Sequence, residues 1–581
     1  MKFAFKPIAI AAALAFIGTA AVASPMKAGT YTAKVNGHNA PLTVEVTVDA
    51  NKILSIKTPD DQESLGVGKV GLKKTADNIL RYQSIGVDAV TGATFSSNAL
   101  KEGVEKCLKQ AGADMKQFTR KAEKHPIHNR TYQADVVVIG GGGAGLASAI
   151  SSMQAGAKKV IVLEKLGYVG GSTNVSEGAL NAVDDQRQKA QGIKDSYETF
   201  YETTMHGGHD KGDPTLVRFL TSHSMDAVNW LESLGVKFND HIGAATGSLG
   251  QRSHYPATPY GNTYIRTFEK VIADSNGKIQ VLLDTPAVKL IQNKSGRVVG
   301  VVGNNFGSKV TVMAKDGVII ATGGFGANVA YRQKVNTGVW KNIKLDNSIG
   351  CTNIQKAAQG QGLFLAQKVG AKLIGLSDIQ IHPCGTPGTG LMENIRTSGR
   401  NRIFVNSDGN RFVNEGAARD VLANAIFQQK GRTYWIVVNK LRYPTPDFKD
   451  RMGASIRNME ALGAVVEAPT LDELAKKTGM NAENLKKAIA DYNAVVSGKA
   501  KDKLGFVANN KDDKQMTEGP WYACRKVPTV HHTMGGIKIN VKSQVINTKG
   551  KVIPGLYAVG EVTGGIHGSN RLGGNAIADI M

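Results

Sequence analysis

Residues 135–150 read DVVVIGGGGAGLASAI, an apolar strand that passes through a run of glycines into a helix of small residues. In a dinucleotide-binding turn, Gly140 permits the tight turn and Gly142 lets backbone amides approach a pyrophosphate. Gly145 then lets the helix lie close to the strand, so that the helix N-terminus faces the phosphates. The stretch therefore predicts the first β-α unit of a dinucleotide-binding α/β fold.

A second strand supplies the other half of this pattern. Residues 160–163, VIVL, end at Glu164, about 20 residues beyond the last glycine, where an acid meets a ribose hydroxyl. An acid suits an adenosine ribose that carries no phosphate. An ordinary parallel sheet with a glycine-rich turn is the alternative, and the joint presence of the glycines and Glu164 argues against it.

Further glycine turns decide between NAD and FAD. They follow Lys165, the apolar run 318–321 and the apolar run 555–559. Turns spread over most of the chain that converge on one extended ligand favour FAD, bound without a covalent link. The residues predicted to bind it are Gly140, Gly142, Gly143, Ala144, Gly145, Glu164, Lys165, Gly171, Ser172, Thr173, Thr322, Gly323, Gly324 and Glu561.

Length and charge narrow the class of protein. The chain has 581 residues and a formal net charge of +23, so it is long enough for two to four domains. Its lysines and arginines are scattered rather than gathered in one stripe, and no nucleic-acid motif occurs. The charge therefore favours small anions or acidic electron donors as partners, and no nucleic acid.

The four cysteines follow no metal-binding spacing and form no C-x-x-C-H haem motif. Covalent c-type haem is therefore excluded on this chain, and no metal site is predicted. Isolated buried thiols are favoured, and one long-range disulfide stays open as the alternative. The positions are Cys107, Cys351, Cys384 and Cys524.

The N-terminus resembles an export signal. Lysines at positions 2 and 6 precede an apolar run over residues 8–22, which ends in the small residues Ala21-Val22-Ala23 before Ser24. This order is typical of a secretory signal peptide, here cleaved after Ala23, and a membrane anchor is the alternative. The protein is therefore expected in the periplasm.

A small domain is predicted after the signal. Residues 29–35 and 42–48 alternate as strands around the turn Asn36-Gly37, and residues 98–109 predict a helix. Between them, residues 88–94 read DAVTGAT. This motif resembles that of FMN-binding domains, in which the last threonine carries FMN through a phosphodiester. The resemblance spans residues 27–111 and implies covalent FMN at Thr94.

The remaining periodicities predict an α/β FAD-binding domain, Rossmann-like, with an α+β insertion. Helices are expected at 200–205, 215–234, 471–477 and 482–496, strands at 402–406 and 434–438, and an inserted sheet from strands 279–283, 298–302 and 309–313. The predicted domain boundaries are 1–23 for the signal, 24–115 for the FMN-binding domain, 116–131 for a linker, 132–376 and 533–581 for the FAD-binding domain, and 377–532 for the inserted domain, which the resemblance described next implies is a capping domain.

Two motifs near the end of the chain carry a wider resemblance. Residues 530–536 read VHHTMGG, and residues 560–576 read GEVTGGIHGSNRLGGNA. They resemble the soluble periplasmic fumarate reductase flavoproteins, a branch of the succinate dehydrogenase and fumarate reductase superfamily, over residues 132–581. The resemblance implies a mobile capping domain and FAD contacts from Asn575 and Ala576.

In several relatives a multihaem domain precedes this part, and here the FMN domain takes that place, as in the urocanate reductases of the family. The resemblance therefore implies that FMN relays electrons to FAD. It also implies a periplasmic or membrane-bound donor such as a cytochrome, and a flavin transferase that attaches FMN.

The same resemblance assigns catalytic residues. Arg419, in the segment RFVNEGAARD at 411–420, matches the proton-donating arginine, and Glu393 and Arg396, in MENIR, match its relay. A free guanidinium has a pKa above ~12, so the donor needs a relay that returns its proton at once. His531 and Arg571 match the pair that clamps a substrate carboxylate, and His382 matches the histidine that faces the other end.

Departures from the family pattern bear on the substrate. Met392 stands where a threonine commonly binds a second carboxylate, and Gln361 replaces the aspartate of a Gly-Asp-Gly motif. Reduction of an α,β-unsaturated carboxylate is therefore expected, with fumarate and urocanate close together and acrylate, methacrylate or cinnamate as alternatives. Two rival functions are an oxidase or dehydrogenase of the L-aspartate oxidase type and an electron carrier with a vestigial FAD.

Overall fold

A computed structural model describes residues 25–121, 125–258, 260–450, 453–508 and 512–581. The predicted signal peptide and its cleavage site after Ala23 lie outside these ranges. Within them, no helix is long and apolar enough to cross a membrane. All four cysteines fall in the described ranges, where they are buried and unpaired, as the sequence predicted.

The N-terminal part is a curved antiparallel sheet covered by two helices. Residues alternate along the second strand, with Leu42, Val44, Val46 and Val48 buried against the helices, because successive side chains of a strand point to opposite faces. The third strand and the first helix were not predicted. The elements are β1 (Gly29–Asn36), β2 (Pro41–Val48), β3 (Ile53–Lys57), α1 (Gly68–Tyr82), α2 (Thr94–Gln110) and α3 (Met115–Phe118).

The next part holds the central sheet. The predicted helices are present within one to three residues of their expected ends. Its elements are β4 (Arg130–Ile139), α4 (Gly143–Gln154), β5 (Val160–Leu163), β6 (Leu180–Asn181), α5 (Asp185–Ala190), α6 (Tyr197–Gly207), α7 (Pro214–Ser233), β7 (Ser253–His254), α8 (Asn262–Ala273), β8 (Ile279–Leu282), β9 (Ala287–Gln292), β10 (Val298–Asn305), β11 (Ser308–Ile320), α9 (Val329–Val335), α10 (Gln361–Lys368) and β12 (Leu373–Ile374).

The prediction of a separate inserted sheet is wrong. Strand β8 pairs in parallel with β5, and β9 and β10 join the same sheet through antiparallel pairing with β11. Strand β11 is continuous through two segments that the sequence analysis treated separately, with a register shift between Ala314 and Gly317. Both halves of β11 lie parallel to β4, while on the other side the first half pairs antiparallel with β10 and the second half pairs in parallel with β20. One strand therefore joins both arrangements.

The region predicted as the capping domain contains a second sheet in the order β13-β17-β15-β14, with β16 also paired to β17. Apolar clusters cover both of its faces. Its elements are β13 (Ile379–Gly385), β14 (Ile403–Val405), α11 (Arg419–Phe427), β15 (Tyr434–Asn439), α12 (Ile456–Ala461), β16 (Val465–Ala468), α13 (Leu471–Thr478), α14 (Ala482–Val496) and β17 (Trp521–Thr533).

The last part returns to the central sheet. Strand β20 pairs in parallel with β11, so the central sheet runs β19-β20-β11-β4-β5-β8. The chain then ends in a short helix that packs on β6, where Asn181 donates a hydrogen bond of 2.8 Å to Asn575. These elements are β18 (Gly536–Lys538), β19 (Gln544–Ile546), β20 (Val552–Ala558), β21 (Thr563–Gly564) and α15 (Asn575–Ile580).

The N-terminal part is docked on the central part through an apolar cluster. Val90 and Ala93 pack against Leu166 and Tyr168, which follow strand β5. The hydroxyl of Tyr168 also donates a hydrogen bond of 3.2 Å to the backbone oxygen of Gly92. The contact places the start of helix α2 beside the glycine turns of the central part.

Candidate active site

The glycines after β4 have different surroundings. Gly140 adopts a φ of +108°, and an added Cβ there would lie 2.4 Å from the backbone oxygen of Ala321. At Gly145 the Cβ would lie 1.8 Å from the oxygen of Gly140, so helix α4 packs directly on the turn. At Gly142 a Cβ would meet no atom within 4 Å. This open space before the N-terminus of α4 fits a pyrophosphate.

Two charged side chains follow β5. Glu164 accepts hydrogen bonds from the backbone amides of Gly141 and Leu166, at 2.6 and 2.7 Å. Burial raises the pKa of the Glu164 carboxyl. Lys165 donates to Gln361 at 2.7 Å, and burial lowers the pKa of its ammonium group to about 8. Gln361 therefore binds a lysine beside the turn, at the position where the resemblance led us to expect an acid.

A cavity of 120 Å³ lies at this turn. The predicted residues in its walls come from five separate segments of the chain, as an extended nucleotide requires. The predicted cofactor residues in its walls are Gly140, Gly142, Gly143, Ala144, Glu164, Lys165, Gly171, Ser172, Thr173, Thr322, Gly323, Gly324 and Glu561.

Two further residues predicted to bind FAD lie behind these walls. Gly145 packs on Gly140 as described. Asn575 is fully buried, where it accepts a hydrogen bond from Asn181 and donates one of 3.3 Å to Thr204. Both residues therefore shape the backbone around the cavity.

A larger cavity of 690 Å³ lies where the N-terminal part, the central part and the region predicted as the capping domain meet. It shares Ser172, Thr173 and Glu561 with the smaller cavity. The space is therefore continuous with the nucleotide site and large enough for more than one small molecule. The predicted residues in its walls are Thr94, Ser172, Thr173, His382, Glu393, Arg396, Arg419, His531, Glu561, Arg571 and Ala576.

Arg419 is the first residue of α11 and is 7% exposed. Its Nε donates to the backbone oxygen of Thr246 at 2.9 Å, and its Nη1 donates to Oε1 of Gln380 at 3.0 Å. Burial, together with the charge of Arg571, lowers the pKa of Arg419 to about 9. This guanidinium therefore releases a proton more readily than a free one does.

Arg571 lies in the same wall. Burial lowers its pKa to about 10, and the carboxylate of Glu561 partly offsets that effect. Its Nη1 donates to the backbone oxygen of Leu572 at 2.9 Å. Its Nε is buried and has no hydrogen-bond partner among the described residues. A buried N–H donor without a partner raises the free energy of the folded protein, and a ligand carboxylate that accepts its hydrogen bond would remove that cost.

Two histidines face this pair of arginines. The rings of His382 and His531 lie 4.8 Å apart. Nδ1 of His382 accepts a hydrogen bond of 3.1 Å from the amide of Cys384, and Nδ1 of His531 lies 2.7 Å from the hydroxyl of Thr352. Burial and the positive charges nearby both lower the pKa of the two imidazole rings well below the usual value. Both imidazoles are therefore neutral donors or acceptors.

The three groups predicted as a proton relay are not linked by ion pairs in the described residues. Glu393 Oε1 lies 3.0 Å from Nε2 of His38, and Nη1 of Arg396 lies 3.6 Å from Glu177. All three predicted groups, including Arg419, nevertheless face the larger cavity. The sequence did not indicate His38 because it lies some 350 residues away from Glu393.

Thr94 is exposed at the first residue of helix α2, a helix of 17 residues. Thr94 lines the larger cavity, next to the exposed ring of Phe95. A phosphodiester at this position would lie at the positive end of the helix, where negative charge is stabilised. The site therefore fits covalent FMN, and the neighbouring aromatic ring offers a surface for stacking.

Sequence reasoning missed several positions that shape the site. Gln380, on β13, donates hydrogen bonds of 2.8 and 2.7 Å to Asn570 and to the backbone oxygen of Arg571. Lys526, on β17, is fully buried and donates to the backbone oxygen of Glu393. No local pattern marked the second of these contacts, because Lys526 follows Arg525 in a strand that also carries histidines and threonines.

Comparison with known proteins follows the same division of the chain. Residues 135–577 match the family model of the FAD binding domain, and residues 37–109 match that of the FMN-binding domain. The chain is 34% identical to a urocanate reductase of Eggerthella lenta, over 97% of this chain and 92% of that protein.

It is also 34% identical to an NADH:acrylate oxidoreductase of Vibrio harveyi, over 95% of this chain, and it spans 60% of the length of that protein. Among solved structures, it aligns with the open conformation of a flavocytochrome c3 fumarate reductase at a TM-score of 0.61 and 35% identity. That alignment covers 77% of this chain and 76% of the other.

Proposed function

The chain belongs to the FAD-binding flavoprotein family and also contains an FMN-binding domain, and we propose that it reduces the C=C bond of an α,β-unsaturated carboxylate. One observation carries the proposal. Buried Arg419 and Arg571 share a cavity with neutral His382 and with residues of the nucleotide site. The named activities of the relatives, which act on urocanate, acrylate and fumarate, support the same reaction class.

The charge state of each side chain determines its proposed role in substrate binding or proton transfer. The unpartnered Nε of Arg571, together with the imidazole of His531, holds one substrate carboxylate. Arg419, with its pKa lowered to about 9, donates a proton to one carbon of the double bond. FAD held by the glycine turns around Gly142 and Gly323 would supply the hydride for the other carbon, and FMN at Thr94 would supply the electrons. Glu393 and Arg396 return the proton to Arg419 from the cavity wall.

The far end of the substrate faces His382 and the segment that begins at Met392. A second carboxylate there would meet a neutral imidazole and a thioether rather than a hydroxyl donor. A site built to hydrogen-bond one group rejects a substrate that lacks that group by roughly 10⁴-fold, and Met392 offers no hydroxyl donor that would impose such a selection for a second carboxylate. We therefore propose a general enoate reductase of the fumarate and urocanate class, with acrylate, methacrylate and cinnamate as further candidates.

The proposal is tested with reduced viologen as electron donor. Oxidation of viologen should depend on at least one of fumarate, urocanate, acrylate, methacrylate or cinnamate, and no oxidation with any of them would contradict the proposal. Comparing kcat/KM on one preparation then ranks the substrates. Oxygen consumption with amino or hydroxy acids would instead support an oxidase of the aspartate oxidase type.

We further propose that FMN is joined to Thr94 by a phosphodiester. Mass spectrometry of protein made with its export system and a flavin transferase should show the added mass on the peptide that contains Thr94. Thr94→Ala should lose that mass and keep FAD. Thr119→Ala, whose hydroxyl binds the backbone of the same small domain, is the matched control and should keep both flavins.

The cellular setting and the domain limits are also proposals. Export to the periplasm follows from residues 1–23, and a cytochrome-type donor follows from the place of the FMN domain in the family. The domain boundaries at 115, 131, 376 and 532 are part of the proposal, and limited proteolysis would test them. A respiratory role would be supported if deletion abolished growth on the preferred enoate as electron acceptor.

A further inference from the structure

The ion pair between His38 and Glu393 joins two parts of the chain that have separate folds. His38 lies in the turn between β1 and β2, and its Nε2 is 3.0 Å from Oε1 of Glu393, in the region predicted as the capping domain. The two side chains are 28% and 27% exposed, so each has contact with both solvent and the cavity wall. The pair therefore lies between bulk water and the interior of the site.

The imidazole of His38 has a hydrogen-bond acceptor on each side. Its Nδ1 lies 2.9 Å from Oδ1 of Asn39. The orientation of that amide is fixed because its Nδ2 donates to the backbone oxygen of Gln62 at 3.1 Å. A ring between two acceptors needs a proton on each nitrogen, which is the imidazolium form. Burial opposes this form, but Glu393, Asn39 and Glu63 outweigh it and raise the pKa of His38 to about 9.

The turn that carries His38 is tied to the helix that carries Thr94. The backbone amide of His38 donates to Oε1 of Glu63 at 2.6 Å, and the hydroxyl of Ser96 donates to Oε2 of the same carboxylate at 2.7 Å. Glu63 is 4% exposed. The segment proposed to hold FMN and the imidazolium therefore move as one unit.

We propose that His38 passes protons from solvent to Glu393, so that docking of the FMN-binding domain completes the proton path of the reductase. The step is a transfer from Nε2–H of the imidazolium to the carboxylate, which gives a neutral imidazole and a carboxylic acid. The acid returns the proton that Arg419 has given to the substrate, and the imidazole takes another from water. His38 acts on the reaction only through Glu393, and its role rests on the proposed function.

The test uses the flavin-loaded full chain and two variants at this position. His38→Gln keeps an amide donor near Glu393 but carries no transferable proton, and His38→Ala opens a space for small acids. Both should lower kcat about 10- to 100-fold, with KM for the enoate little changed. This is less than the roughly 10²- to 10⁴-fold of a lost acid–base group, because Glu393 is 27% exposed and can also take protons from water. In His38→Ala, kcat should then rise in proportion to added imidazolium.

The matched control is His223→Gln. His223 is an exposed histidine with its own carboxylate partner, Asp226, at 2.8 Å. This variant should keep the wild-type kcat and show no response to imidazolium. A purely structural latch between His38 and Glu393 would lower flavin content or stability in the His38 variants without giving rescue by imidazolium.

A second measurement does not depend on turnover. NMR titration of the oxidised holoprotein labelled at the histidine rings should give His38 a pKa near 9, and Glu393→Gln should lower it. A wild-type value below 7 would overturn the inference. If both His38 variants turn over as fast as the wild-type chain, the inference about His38 is wrong and the proposed reductase activity stands. If the wild-type chain is inactive on every enoate, both the inference and the proposed function are wrong.

Discussion

Nη1 of Arg419 donates a hydrogen bond of 3.0 Å to Oε1 of Gln380, and the amide nitrogen of Gln380 donates to the backbone oxygen of Arg571 at 2.7 Å. One side chain on β13 thus contacts both of the arginines that line the larger cavity. Its amide nitrogen also reaches Asn570 at 2.8 Å. Because Gln380 is 2% exposed, no water is available to replace these contacts without rearrangement.

Gln380→Leu should therefore reduce catalysis while leaving FAD bound. The change leaves donors and acceptors buried without partners, at about 1–3 kcal/mol each, and frees Arg419 to shift. We expect kcat/KM for the best enoate to fall about 10- to 100-fold in steady-state assays. Gln292→Leu, at an exposed position on β9, is the control and should behave as wild type.

Arg419→Lys should abolish most turnover. Lysine keeps the positive charge but cannot make both contacts, to Thr246 and to Gln380, that hold the guanidinium in place. Loss of an acid–base group lowers rates by about 10²- to 10⁴-fold, with the flavin absorbance unchanged. Arg218→Lys, in an exposed ion pair with Glu198, tests whether the loss is specific. Wild-type turnover by Arg419→Lys would remove Arg419 from the mechanism.

The wild-type pH profile should also report this group. The proton donor must be protonated, and its pKa is lowered to about 9 by burial and by Arg571. We therefore expect kcat to hold through neutral pH and to fall as pH rises through about 9. A profile that stays flat to pH 11 would mean that the donor has an unshifted guanidinium pKa or is another group.

Two glycines of the first turn should separate folding from FAD binding. Gly145→Ala places a methyl group 1.8 Å from the backbone oxygen of Gly140, so it should lower the free energy of unfolding by about 1–3 kcal/mol. Gly142→Ala meets no protein atom within 4 Å. It should keep the melting temperature of the apoprotein but raise the Kd for FAD about tenfold or more, which equals about 1.4 kcal/mol.

If Gly142→Ala binds FAD with the wild-type Kd, the prediction for Gly142 is wrong. The pyrophosphate would then not lie in the space in front of helix α4. Thermal unfolding of both apoproteins and fluorescence titration with FAD give the two readouts. Gly277→Ala is unsuitable as a control because Gly277 has a positive φ of +75°. Ala147→Gly, within the same helix α4, loses a methyl group instead and should change stability without changing the affinity for FAD.

Docking of the FMN-binding domain should weaken at alkaline pH. The pKa of His38 is raised to about 9 in the docked state, so its stabilising effect is complete below the unperturbed value of about 6.5. That effect is lost as pH rises through about 9. Limited proteolysis in the linker between residues 116 and 131 should accelerate over that interval. His38→Gln should remove the pH dependence and leave the apolar cluster around Tyr168 intact.

The sequence predicted elements with strong local patterns. Residues 482–496 form helix α14 with the predicted ends, because polar residues and caps mark both ends of its apolar stripe. Helix α1 was missed because two of its buried positions are glycines, Gly68 and Gly71, which carry little helical signal. The inserted sheet was predicted wrongly because pairing between β5 and β8 joins strands more than 100 residues apart, and local alternation contains no information about such partners.

The residues of the candidate site also differ in how far the sequence could predict them. Glycine turns have local requirements, so residues 140–145 could be assigned from sequence alone. The roles of Arg419 and Arg571 came from resemblance, and their geometry remains a structural observation. Gln380, Lys526 and His38 act through contacts across strands and between domains. Their residue types are common in solvent-facing positions, so only the fold shows that His38 lines the cavity and that Gln380 and Lys526 bind residues of its wall.

The hydrogen bond between Asn181 and Asn575 spans 394 positions of the chain. At a translation rate of about 5–20 residues per second, the ribosome delivers the second partner roughly 20–80 seconds after the first. Until then β6 and the turns around it have no α15 to pack against, and the pocket for the flavin is incomplete on that side. The complete pocket for the flavin therefore forms only after residues 575–580 have been synthesised, and flavin supply acts on the polypeptide from that point onward.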